Sequence, residues 1–176
     1  MKRLYLVLLF LPTQFILAQN FKGLDKSPMD KAAYPVSYRV TEKIAVITYS
    51  RPQLNGRTFE EVVPLNKVWR TGANEATELR LFADIQIENT TIKAGNYSIF
   101  TIPKEETVTF VVNSSTNLWG SYAYAKDNDV LRVTVPRTTA KESLDAFSIV
   151  FSDTDGQPKI HIGWANVRFE IPFTVL

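Results

Sequence analysis

Apolar and polar residues alternate with period two through most of this chain. In "KIHIGW", Ile160, Ile162 and Trp164 share one side of an extended backbone while Lys159 and His161 share the other. In "VRFEIPF", Val167, Phe169 and Ile171 oppose Arg168 and Glu170. Successive side chains of a strand point to opposite faces, so this pattern predicts strands with one buried and one wet face. Further runs of the kind are "ELRLFAD", "NYSIFTIP", "TVTFVVN", "DVLRVTV" and "AFSIVFSD", together with Val36 to Val40 and Ile44 to Tyr49, which flank the hairpin-length connection "TEK". "KAGN" at 93–96 and "TDGQP" at 154–158 supply Gly where a turn needs positive φ and Pro where a strand must stop. No segment keeps helical periodicity over three turns; "TAKESLDAF" holds at most one turn and reads better as the start of a strand. Nine or so antiparallel strands with short turns predict an all-β fold, a single antiparallel β-sandwich of barrel-like form over residues 34–176. Residues 19–33 form an N-terminal lead.

One span breaks the pattern. From Ser50 to Ala76 the chain reads "SRPQLNGRTFEEVVPLNKVWRTGANEA", with at most one short apolar element around Phe59 to Val63. The block "VWRTGANEAT", Val68 to Thr77, packs Trp, Arg, Gly, Asn, Glu and two Thr into ten positions without apolar periodicity. A polar crossover this long in a small domain is uncommon, and tends to be functional or to cover an open end of the sandwich.

The start of the chain reads as an address. Lys2 and Arg3 precede the apolar run Leu4 to Leu11, and Ala18 offers a small residue for cleavage, so residues 1–18 are expected to be a signal peptide. Pro12, Thr13 and Gln14 interrupt the run well short of the ~20 apolar residues that span a bilayer, so no transmembrane anchor is expected after cleavage. The expected location is exported, in the periplasm or secreted. Of 20 Lys+Arg and 18 Asp+Glu, cleavage removes Lys2 and Arg3, leaving 18 against 18. Without a basic surplus the counterion-release term that drives nucleic-acid binding has no source. With no Cys, no disulfide contributes, and packing alone has to hold the fold.

The order "YSRP" (49–52), "GR" (56–57), "VWRTGANEAT" (68–77), "AGNYSIFTIP" (94–103), "WGSYAY" (119–124) and "DVLRV" (129–133) resembles the exported Bacteroidota proteins grouped as domain of unknown function 2911. The resemblance covers essentially the whole mature chain. It implies an envelope location and one β-rich domain, and brings no activity, cofactor or catalytic residue with it. Two departures stand out: "FEEVV" where a Gly is expected after the Phe, and Ala165 where an acidic residue is expected after Trp164.

The crossover carries the candidate chemistry. Arg51, Arg57 and Arg70 could present planar, forked donors to a carboxylate, phosphate or sulfate, with Trp69, Thr71, Asn74, Glu75 and Thr77 completing a polar cradle. The competing reading is structural, because a long loop must satisfy its own backbone groups and Arg, Asn and Thr side chains do so. Trp119, Tyr122 and Tyr124 could form a sugar platform, although Trp and Tyr also serve as core residues with a polar handle. Metal and cofactor chemistry is poorly supplied: His161 is the single His, "DTDG" and "DND" are fragments of calcium loops, and no phosphate or dinucleotide fingerprint occurs. With one His, no Cys and no G-x-S-x-G elbow, nucleophile–base constellations are not expected. The leading expectation is non-enzymatic binding of a small polar or anionic ligand, or of an envelope partner, through the 50–77 loop. A glycan-directed hydrolase using Glu75 and a second carboxylate, and a structural or protein-interaction module, are the alternatives. An exposed Glu75 sharing an open cleft with another carboxylate would favour the hydrolase; a Glu75 buried against an Arg would exclude it.

Overall fold

The computed structural model describes residues 19–154 and 156–176, so the expected signal segment 1–18 lies outside the described residues. Eleven strands and two short helical turns follow in the order β1 (Met29–Tyr34), β2 (Ala45–Ser50), α1 (Phe59–Val62), β3 (Thr77–Leu81), β4 (Ile85–Ile87), β5 (Thr90–Ile92), β6 (Gly95–Pro103), β7 (Thr107–Asn113), a 3-10 turn (Lys126–Asn128), β8 (Asp129–Pro136), β9 (Thr138–Thr154), β10 (Gln157–Pro172) and β11 (Thr174–Val175). A six-stranded sheet runs β1-β2-β3-β6-β7-β8; the long pair β9-β10 faces it, and a small sheet β11-β4-β5 completes the second layer. Every ladder between these strands is antiparallel. β9 comes alongside β1 and β10 alongside β8, which gives the sandwich its barrel-like section, but no ladder closes it among the described residues.

Alternation built the core as expected. Ala45, Ile47 and Tyr49 of β2, Leu131, Val133 and Val135 of β8, Phe147, Ile149 and Phe151 of β9, and Ile160, Ile162, Trp164, Val167, Phe169 and Ile171 of β10 all point inward. Fully burying each Val, Leu, Ile or Phe among them contributes roughly 1.5–3 kcal/mol. Tyr49 crosses the core with its hydroxyl donating to Ile149 O (3.1 Å) and accepting from Ile149 N (3.0 Å), so its polar handle is satisfied where it is buried.

Three local expectations are corrected. Val36 to Val40 is not a strand; β1 lies earlier, inside the expected lead, and pairs with β2 from Met29↔Ser50 to Tyr34↔Ala45, so the connection is residues 35–44 rather than "TEK". Lys43 Nζ ties that connection by donating to Pro35 O (2.6 Å) and Ser37 O (2.8 Å). Gly95 needs no positive φ; a Cβ there would meet Tyr97 Oη at 3.3 Å, so its role is close approach.

β10 is not straight. An extended strand would hold His161 and Glu170 about 30 Å apart at ~3.3 Å per residue. Instead His161 Nδ1 and Glu170 Oε2 are 3.4 Å apart, and Phe173 N donates to Pro158 O (3.0 Å). The chain folds back at Ala165, whose φ is 47°, and a Cβ on Gly163 would meet the Arg168 side chain at 2.9 Å. β10 is therefore two limbs lying side by side.

Candidate functional site

The polar block turns out to be an excursion from one strand line. Trp69 and Thr77 both pair with β6, at Thr101 and Ile99, two positions apart on that strand. Residues 70–76 are therefore looped out between them. The neck is closed inside the protein: Thr77 N donates to Arg70 O (3.1 Å), Thr77 Oγ1 to Thr71 O (2.6 Å) and Thr71 Oγ1 to Thr101 Oγ1 (3.1 Å). Thr71 and Asn74 take positive φ, and a Cβ on Gly72 would meet Ser50 O at 3.0 Å. Polar density here satisfies a backbone that turns sharply inside the wall of a sandwich.

Trp69 is core. It stacks on Trp164 (ring centroids 6.0 Å, interplanar 10°) and meets Phe147 and Phe59 edge-on at 5.3 and 6.4 Å. With Thr71 and Thr77 buried as well, three of the eight candidate residues face the interior.

Arg51 and Arg57 spend their guanidinium groups on separate partners. Arg51 Nε donates to Phe147 O (2.9 Å), its Nη2 to Ser148 Oγ (2.9 Å), and its Nη1 pairs with Asp30 (2.9 Å), which staples β9 to the β1–β2 side. Arg57 folds onto its own loop, donating to Leu54 O (2.8 Å) and Gln53 O (2.9 Å). Arg70 is half-buried, and its Nε has no hydrogen-bond partner among the described residues. The physical reason is the accounting stated for long loops: Arg51 gives a donor to the part-buried Phe147 carbonyl, while Arg57 closes its own turn on the part-buried Leu54 and exposed Gln53 carbonyls.

Asn74 and Glu75, at the tip of the excursion, reach the surface. There they dock on the segment after β7: Gly120 N donates to Asn74 O (3.0 Å), Ala76 N to Leu118 O (2.9 Å), and Glu75 forms a backbone bridge with Trp119. Asn74 Nδ2 also donates to Asp25 (3.1 Å), and the Ser27 amide and Asn74 together hold the Asp25 carboxyl below the usual range. Between this tip and β2 lies a cleft of roughly 270 Å³, walled by Thr48, Ser50, Glu75, Glu78, Asn117 and Trp119 among others. Glu78 Oε1 accepts from Asn117 N (3.3 Å). Trp119 is 62 % exposed, whereas Trp69 and Trp164 are buried. Its expected companions divide: Tyr122 is fully at the surface, but Tyr124 packs on Phe100 (5.0 Å) and donates to Asp129 Oδ2 (2.6 Å). Burial, with Asp129 alongside, pushes the Tyr124 hydroxyl up to about 12.

A second polar group, which the sequence reading set aside, lies on the outer face of the β9–β10 pair. Ser152 Oγ is 2.6 Å from His161 Nε2, His161 Nδ1 is 3.4 Å from Glu170 Oε2, and Lys159 Nζ is 2.6 Å from Glu170 Oε1. The signal was present in "TDGQP": pairing that starts at Thr154↔Gln157 gives Ser152↔Lys159 and puts His161 diagonal to Ser152.

These features define an all-β sandwich whose crossover serves the wall of the fold, with an aromatic-rimmed acidic cleft and a strand-borne Ser-His-Glu row at its surface. The chain belongs to the family described as protein of unknown function (DUF2911), which matches residues 27–173. No curated protein and no solved structure is significantly similar to it.

Proposed function

We propose that the protein is exported and binds a small neutral polyol, a sugar ring, in the Glu75–Trp119 cleft. Export is supported by the basic pair Lys2–Arg3, the apolar run Leu4 to Leu11 and the small residue Ala18. The observation that carries the binding reading is Trp119: a large aromatic ring left in solvent while its backbone is pinned to Glu75 by a bridge. Such a face stacks on the apolar side of a sugar, and Glu75, Glu78 and the Asn117 amide beside it accept or donate to hydroxyls. Two carboxylates and no Lys or Arg among the lining residues disfavour an anionic ligand, so the sequence-based expectation is narrowed to a neutral one. The volume lies just under the ~300–1,000 Å³ of ordinary ligand clefts, which suits one ring rather than a long chain.

The hydrolase alternative has one observation in its favour, since Glu75 is exposed and shares the cleft with Glu78. Against it, both groups are exposed on the open rim of the cleft, where nothing in its lining shuts water away from a bound glycosidic bond.

The test is a tryptophan-fluorescence titration of residues 19–176 with glucose, galactose, mannose and N-acetylglucosamine. One stacked face and a few hydrogen bonds predict saturation with Kd on the order of 1 mM, about −4 kcal/mol. The response should vanish in Trp119→Ala and weaken in Glu75→Gln. Absence of saturation with every sugar, or a response surviving Trp119→Ala, overturns the reading.

A further inference from the structure

The geometry of the β9–β10 pair points to a second activity: we propose that Ser152, His161 and Glu170 act as nucleophile, base and orienting carboxylate in hydrolysing small acyl esters. This site shares no lining residue with the Glu75–Trp119 cleft and does not rest on the sugar-binding reading.

Each imidazole nitrogen has its own partner, Ser152 at Nε2 and Glu170 at Nδ1. A carboxylate beside Nδ1 favours the tautomer with hydrogen there, and in that tautomer Nε2 accepts from the Ser152 hydroxyl. That is the proton arrangement a serine nucleophile requires, with the base fixed by a third group. At 3.4 Å the Glu170 carboxylate is an ion-pair neighbour of Nδ1, and a small approach on substrate binding would close the hydrogen bond. Lys159 pairs with Glu170 at 2.6 Å and keeps that carboxylate in place.

Strands, not loops, hold the three groups. Ser152 comes from β9, His161 from the first limb of β10 and Glu170 from the second. Register and fold-back therefore fix their spacing, which favours a reacting geometry held to within about 0.5 Å. His161 also lines a cavity of roughly 470 Å³ whose apolar surface comes from Pro136, Ile162 and Phe169. That volume fits a short acyl or alkyl group. Lys159 stands directly across from Ser152 in register, and its ammonium carries hydrogens beyond the one given to Glu170, which can meet charge developing on a carbonyl oxygen.

In the acylation step Ser152 Oγ forms a bond to the ester carbonyl carbon while its proton passes to His161 Nε2. The carbon–alkoxy bond then breaks and the alcohol leaves with that proton. Water next attacks the acyl-serine, giving a proton to His161; the Oγ–carbon bond breaks, the carboxylic acid departs and Ser152 recovers its proton. Ester and water thus become acid and alcohol with no other reactant.

The experiment uses residues 19–176 with p-nitrophenyl acetate and butyrate, and a fluorophosphonate probe read by peptide mass spectrometry. Turnover above the buffer rate should fall at least 100-fold in Ser152→Ala and in His161→Gln, and the wild-type chain should carry the probe on Ser152. Glu170 acts through His161 as a positioning residue: Glu170→Gln should lower kcat on the order of 10²–10⁴-fold with KM unchanged. A merely structural salt link would leave kcat/KM alone and move only thermal stability. The proposal is overturned by turnover that survives Ser152→Ala, or by wild-type protein that neither turns over the esters nor takes the probe at Ser152. Because labelling is read on the wild type, a variant that fails to fold does not blunt the test.

Discussion

Thr77 shows how a polar side chain in this molecule can be worth more than a charged one. Its hydroxyl donates to Thr71 O at 2.6 Å in a fully buried site, closing the neck of the 70–76 excursion. Thr77→Val keeps the shape and strands a buried carbonyl, which costs about 1–3 kcal/mol. A urea titration should register that loss, while Arg57→Ala, an exposed change on a loop, should stay within about 0.5 kcal/mol of wild type. Sequence could not separate these two residues, since both sat in the same polar loop; what divides them is that Thr77 pairs with Ile99 of β6 inside the wall while Arg57 bonds only its own loop. Tyr124 carries a pH prediction. Its folded-state pKa is raised to about 12 from an ordinary value near 10, chiefly by burial and then by Asp129. A raised pKa means the neutral form is favoured by folding, so this contribution is complete below about pH 10 and is lost as pH rises towards 12. Wild type should therefore lose more stability than Tyr124→Phe between pH 10 and 12, measured by chemical denaturation at each pH. Tyr34, Tyr49 and Tyr97 are raised as well, so the difference between the two proteins is the diagnostic quantity.

At the scale of elements, the strands legible in the sequence are those whose alternation meets a partner. β7 falls at the expected 107–113, and the inward faces of β10 are the expected Ile160, Ile162, Trp164 and Val167, Phe169, Ile171. Val36, Tyr38 and Val40 alternate equally well but are 58, 84 and 40 % exposed, because no strand among the described residues pairs with them. β4 and β5 escaped notice because three-residue strands give too short a pattern to read. The fold-back of β10 at Ala165 was illegible for another reason: a positive-φ alanine carries no compositional signal, unlike a glycine. That fold-back brings Trp164 against Trp69, Phe59 and Phe147, joining α1 of the crossover to the β9–β10 pair. Its indole nitrogen donates to Asp145 O at 2.8 Å. Trp164→Ala should cost about 3–5 kcal/mol from the cavity and lost stacking, and should flatten the near-ultraviolet circular dichroism of the aromatic cluster. The candidate site follows the same rule. Its residues were visible as residue types, but Arg51 and Arg57 went to separate carbonyls, whereas Ser152 and His161 were brought together by the β9–β10 hairpin.

For the whole molecule, the decisive margin is β1. It forms one edge of the six-stranded sheet, with Ala32 and Tyr34 turned inward and the Tyr34 hydroxyl donating to Asp153 Oδ2 at 2.8 Å across to β9. Arg51 spans the same margin, pairing with Asp30 of β1 while its Nε and Nη2 reach Phe147 and Ser148 of β9. Removing β1 therefore does two things at once. It exposes the backbone edge of β2 together with the side chains that pack beside it, and it frees the facing surface of β9, so two layers lose their seam. An unpaired edge of apolar, β-branched sequence such as "AVITY" is a template for another chain. A chain beginning at residue 35 should elute as dimers and larger species in size-exclusion chromatography where residues 19–176 do not, and adding a synthetic peptide of residues 27–36 should restore the smaller species by reoccupying the edge. A shortened chain that stays dispersed and melts at the same temperature would mean that β1 decorates the sandwich rather than sealing it.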